Sequence, residues 1–187
     1  MKSFQVRSLA LAAAAAALAL SSLTASANTL TFQGVTFDTV ALDGDTLELT
    51  IDNALSASGD WTGIQYLNAF EIKNIGTITS ATLTDWSESS NELNAHGCTG
   101  GSAGGACFTH SPAMALSNHM VFDIDFTGTP DFSLPHLKVE FFTSLTQDKA
   151  TGSLLSQDIP AVPEPETYAL MLAGLSVVGF VARRRRP

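Results

Sequence analysis

The sequence predicts an all-β chain, an antiparallel β-sandwich in the manner of a jelly roll, set between two hydrophobic ends. Three observations lead there. Apolar and polar residues alternate with a period of two along several short runs. Turn-forming residues punctuate those runs, and no uninterrupted helical pattern lies between Asn28 and Pro163. No internal repeat appears, which argues against a solenoid or propeller.

Residues 1–27 are set aside first. Lys2 and Arg7 give a positive start, Leu9 to Leu20 form an apolar run, and Ala25-Ser26-Ala27 supplies the small-x-small pattern of a cleavage site. This is the three-part layout of a secretory signal peptide, with cleavage expected before Asn28.

Residues 28–155 read as the exported domain. The runs LTFQGVTFDTV and TITSATLTDW are rich in β-branched residues. TLELTID places Leu47, Leu49 and Ile51 on one face. HMVFDIDFTG sets Met120, Phe122, Ile124 and Phe126 against Val121, Asp123 and Asp125. HLKVEFF sets Leu137, Val139 and Phe141 against His136, Lys138 and Glu140. Asp43-Gly44-Asp45, Asn74 to Gly76 and Gly128 to Pro130 supply turns, and the phenylalanines of these runs read as core.

Between Asn28 and Pro163 three lysines face sixteen carboxylates, a formal charge of −13. Such a surface repels nucleic acid and anionic lipid, which excludes a nucleic-acid partner. Cys98 and Cys107 stand nine apart in HGCTGGSAGGACFTH and read as a disulfide in an exported chain. His96, Cys98, Cys107 and His110 have the types of a zinc set, but their spacing is irregular and the oxidising compartment favours the disulfide. Asp43, Asp45 and Glu48 are weak calcium candidates, short of the six to eight oxygens calcium takes; otherwise no cofactor is implied.

Gly-x-Ser-x-Gly and His-Glu-x-x-His are both missing, so a non-catalytic role is expected, with an extracellular polysaccharide hydrolase as the alternative. Trp61 and Trp86 lie beside turn-forming polar residues and are either sugar-stacking platforms or caps on the core.

Residues 156–167 read as a linker holding Val162-Pro163-Glu164-Pro165. Two prolines keep a backbone extended and accessible to a protease. Residues 168–187 follow as a short transmembrane helix and an arginine-rich tail. Tyr168 to Ala182 is uncharged, and at about 1.5 Å per residue it spans roughly 22 Å, short of a bilayer core of roughly 30 Å. Arg183, Arg184, Arg185 and Arg186 act as a membrane stop on the cytoplasmic side.

These three ordered parts at a chain end resemble the PEP-CTERM sorting signal of Gram-negative bacteria, over about the last 26 residues. The resemblance implies an exosortase as partner, which cuts near the Pro-Glu-Pro and releases the passenger from the inner membrane. It also implies a cell-surface or extracellular-matrix destination in a polysaccharide-producing species, where the passenger is structural, adhesive or sugar-binding. A domain kept permanently in the envelope by its tail is the remaining alternative.

Overall fold

The computed structural model describes residues 27–162 and 171–176. Ten strands run through the first segment: β1 Ala27–Phe32, β2 Val35–Ala41, β3 Thr46–Asp52, β4 Tyr66–Lys73, β5 Gly76–Thr82, β6 Ser87–Asn91, β7 Ser102–Ala115, β8 His119–Pro130, β9 His136–Phe142 and β10 Leu155–Asp158. They form two antiparallel five-stranded sheets, ordered β1-β2-β3-β8-β5 and β10-β9-β4-β7-β6. The β-sandwich of the sequence reading is therefore present. Its winding follows the immunoglobulin-like partition: β2-β3-β8-β5 correspond to one sheet and β10-β9-β4 to the other, with the β6–β7 hairpin added beside β4.

The turns explain the strand ends. LTFQGVTFDTV is a hairpin rather than one run, because Gln33 and Gly34 both take positive φ, 49° and 84°. That conformation matches the twist of a two-residue hairpin loop. Phe32 then pairs with Val35, and the ladder continues out to Ala27 and Val40. Asp85, at φ 66°, turns the chain out of TITSATLTDW before β6.

The alternation read from the sequence is the alternation of burial. In β8, Met120, Phe122, Ile124 and Phe126 are buried while Val121, Asp123 and Asp125 are exposed. In β3, Leu47, Leu49 and Ile51 face the partner sheet. Strand β4 breaks parity. A bulge between Leu67 and Ala69 lets Leu67 and Phe70, three apart, both enter the core.

Two expectations are corrected. The linker assigned to 156–167 begins too early, because Ser156, Gln157 and Asp158 pair with Lys138, Leu137 and His136 in β10. Ile159 is fully buried, and Ala161 bridges to Asn28, so the domain runs on to Val162. The sequence hid this because a four-residue edge strand rich in polar residues carries almost no periodic signal. Secondly, HLKVEFF does not have one solvated face: Glu140 is fully buried, since the Glu92–Gly101 segment folds over the outside of its sheet.

Met171–Ser176 is helical, and no helix among the described residues is long and apolar enough to cross a membrane. Residues 1–26 of the signal peptide expected over 1–27, Pro163, Glu164, Pro165, most of the expected membrane helix and Arg183–Arg186 lie outside the described residues.

Candidate sugar-binding cleft

The two tryptophans separate. Trp61 is 1% exposed, which removes it as a platform. It ends a 3₁₀ turn, Gly59–Trp61, and points into the space between the sheets. Its ring meets Phe32, Phe37 and Phe141 edge-on, at centroid distances of 5.1, 6.2 and 5.0 Å. Its Nε1–H donates to the Ser153 carbonyl at 2.8 Å, so its polar atom is satisfied inside. A large ring beside Gly and Asp read as a loop-edge site because sequence shows the neighbours along the chain and not those across the sandwich.

Trp86 stands differently. The Leu83–Trp86 turn, closed by Trp86 N–H donating to the Leu83 carbonyl at 3.2 Å, sets it half-buried at the start of β6. Phe70 and Phe122 support the indole at 5.1 and 5.6 Å, and His110 meets it edge-on at 5.1 Å. It lines a cleft of about 360 Å³ together with Thr84, Asp85, His110, Met114 and Asp123. The cleft opens because β5 leaves β8 early. Thr82 pairs with Asp125, and no described residue of β5 pairs with His119–Ile124 on that side.

The lining chemistry is an indole, two carboxylates, a hydroxyl and an imidazole, beside the apolar side chains of Leu83, Met114, Val121 and Phe122. His110 Nδ1 lies 2.6 Å from the Pro112 carbonyl, which can only accept, so Nδ1 carries the proton. In the neutral ring Nε2 is then an acceptor. Such a set suits a ligand with an apolar face and several O–H donors, the description of a sugar ring. Lys73, Lys138 and Lys149 are absent from the lining, so nothing there favours an acidic sugar. The sequence offered Trp86 as a platform and His110 as a zinc candidate, but it joined none of Asp85, His110 and Asp123 to Trp86. They lie on a turn and two strands, and only the tertiary fold brings them together.

The remaining candidates resolve locally. Cys98 and Cys107 form a disulfide with Cα atoms 5.8 Å apart, so they are not zinc thiolates. His96 instead lies 3.0 Å from the Asp148 carbonyl, remote in role from His110 at the cleft. Asp43 Oδ1 accepts the backbone N–H of Asp45 at 2.8 Å and of Thr46 at 2.7 Å, which holds its carboxyl below the usual carboxylate range. That is a turn closing itself with a side chain. Among the described residues no group of three or more His, Cys, Asp or Glu side chains converges to hold a metal, the Asp43–Asp45–Glu48 set included.

A polar network unread from the sequence lies beneath the disulfide. Glu71 is fully buried on β4, and its Oε2 accepts the Leu93 N–H at 2.9 Å, 3.7 Å from Lys138 Nζ. Lys138 and Lys73 both bind Glu92, whose carboxyl they hold down to about 2, hydrogen bonding from Lys138 contributing most. Glu140 accepts from Asn68 Nδ2 at 2.6 Å, but burial outweighs this and raises its pKa. Leu93, Ala69 and the disulfide make a second small core over these groups.

The fold and cleft thus define a β-sandwich with a surface groove, and the C-terminus adds its handling. Residues 161–186 match the family model of the PEP-CTERM protein-sorting motif, so the chain carries the signal of an exosortase-sorted, exported protein bound for the cell surface. The passenger domain has no family match, and no curated protein matches the chain. A solved structure described as an uncharacterized protein from Nocardia farcinica with an immunoglobulin-like fold aligns over 72% of this chain and 83% of its own, at 9% identity and a TM-score of 0.35. At that score the likeness carries no weight for fold detail or function.

Proposed function

We propose that this protein is a non-catalytic surface or matrix component that binds neutral polysaccharide through the Trp86 cleft. It passes through the inner membrane by its C-terminal helix, is released by an exosortase, and stays beside the extracellular polysaccharide of its own cell. The observation that carries the ligand class is a half-buried indole set between Asp85, Asp123 and His110 in an otherwise open groove. Stacking supplies affinity, and the carboxylates orient hydroxyls. No cofactor is needed for either task.

The test is binding of the purified domain to immobilised neutral, amino and uronic polysaccharides, each with the W86A variant beside it. The expected result is retention by neutral chains, weakened about tenfold or more in W86A, the loss of roughly one good stacking contact. Equal binding by W86A, or no binding to any neutral polysaccharide, overturns the reading. Shortening of the polysaccharide during the assay would instead mark the domain as a hydrolase.

A further inference from the structure

We infer that the polysaccharide held at Trp86 continues into a second subsite on the same side of the sandwich, an uncharged groove between β5 and the β6–β7 hairpin. The inference rests on the Trp86 reading and adds where the rest of the chain lies.

The sandwich has one closed side and one open side. On the closed side Ala161, beyond β10, bridges to Asn28 in β1, and Thr29 N–H donates to the Pro160 carbonyl at 3.1 Å. On the open side β5 is the last strand of one sheet and β6 the last of the other. A groove of about 290 Å³ lies there, walled by Thr77 and Ile78 of β5, Ser90 of β6, and Ser102 and Gly104 of β7. It opens because the β6–β7 ladder breaks. Ser89 pairs with Cys107 but Asn91 pairs with Ser102, so two steps of β6 span five of β7. No described residue of β6 pairs with Gly104 or Gly105 in that break. The Trp86 cleft lies on this side too, since Leu83 to Trp86 connects β5 to β6. Trp86 and Ser90 stand four residues apart, about 13 Å at the rise of a strand, within reach of one short oligosaccharide.

Glycine and a strand edge set what the groove offers. The Ile75 carbonyl accepts the Asp131 N–H at 2.9 Å, and Gly76 stands opposite Pro130 in the ladder that follows. Bonded and non-bonded pairs alternate along such a ladder, so Gly76 and Ile78 turn their N–H and C=O groups away from β8. Pro130, which has no N–H to give, fits the non-bonded position opposite Gly76. A Cβ on Gly104 would meet nothing within 4 Å, so that wall is open space. The side-chain donors and acceptors are the hydroxyls of Thr77, Ser90 and Ser102, and no ionisable or aromatic side chain lines the groove. In a region of formal charge −13, such a lining suits a neutral, hydroxyl-rich chain.

A peptide strand is the other occupant that a free edge attracts. The β5–β8 register shifts between Ile78 and Ser80, so β5 carries a bulge at Thr79. A bulge interrupts the regular spacing that a partner strand needs. β6, at five residues, offers only a short edge. A saccharide has no such register to keep.

The experiment is calorimetric titration of the purified protein with size-sorted fragments, from disaccharides upward, of a neutral glucan, mannan and galactan. Wild type is compared with W86A, S90L and the double variant S90L/G104N. Ser90 is exposed, and asparagine tolerates the φ of 63° at Gly104, so these changes fill the groove and leave the core untouched. Melting temperatures check that each variant is folded, and S90L alone carries the test if the double variant is not. The expected result is wild-type affinity rising at least about tenfold from the shortest fragments to those long enough to span both sites. S90L/G104N should bind short fragments as wild type does and lose that rise, whereas W86A should lose the short fragments. An affinity flat with length, or an undiminished rise in the folded groove variants, overturns the inference while leaving Trp86 in place. Binding that W86A does not weaken, or none to any fragment, overturns the Trp86 reading, and the inference falls with it.

Discussion

Replacing Trp61 with alanine separates a core role from a surface role, and its size can be worked from the structure. The indole is 1% exposed and joins Phe32 and Phe37 of one sheet to Phe141 of the other. Truncating a fully buried tryptophan removes that apolar surface and leaves a cavity, at about 3–5 kcal/mol. A domain spanning residues 27–162 has a melting entropy of about 0.29 kcal/mol per kelvin at typical per-residue values, so the melting temperature should fall by about 10–17 °C. W61F keeps an aromatic ring but leaves the Ser153 carbonyl without its donor. That costs about 1–3 kcal/mol, or about 4–10 °C. The assay is thermal unfolding followed by near-ultraviolet circular dichroism, with polysaccharide binding measured at a temperature where every variant is folded. A fall of less than about 4 °C in W61A, joined to loss of binding, would refute the assignment of Trp61 to the core.

Two further outcomes follow. Reducing Cys98–Cys107, or replacing both with alanine, should lower stability by about 2.7 kcal/mol for a ring of this length, about 9 °C in melting temperature. A chelator should leave it unmoved, and the reverse pattern would point to metal. The pH profile should carry two opposed contributions. Glu92, held down to about 2 by Lys138 and Lys73, contributes stability that is present above its ordinary 4.5 and lost as pH falls toward 2. Glu140 is raised by burial, so the folded state holds its proton more tightly than the unfolded chain; stability is highest below 4.5 and declines as pH rises from there to its folded value. The measurement is melting temperature against pH for wild type and E140Q. Parallel curves above pH 4.5 would rule Glu140 out as the source of the decline.

Much of the molecule was legible in its residues because the responsible forces are local. Alternation in HMVFDIDFTG and TLELTID states which side of a strand meets the core, since successive side chains point to opposite faces. The charge ledger and the C-terminal motif are likewise linear, so the export route could be read directly. Where the reading failed, the deciding neighbour was distant along the chain. Trp61 sits beside Asp60 in sequence but against Phe32 and Phe141 in space. Glu140 occupies a polar position in its strand, and only the loop held by the disulfide makes it dry.

The sequence by itself determined the class of fold, the disulfide and the sorting tail, because period, spacing and terminal order are properties of the chain alone. The tertiary structure decided which tryptophan is available to a ligand, which carboxylates surround it, and how far the domain extends. Each of those depends on strand order across two sheets, with pairings such as Asn28 to Ala161 and the meeting of Trp86, His110 and Asp123. Contacts between residues far apart in sequence carry no local pattern, since they exist only once the sandwich has closed.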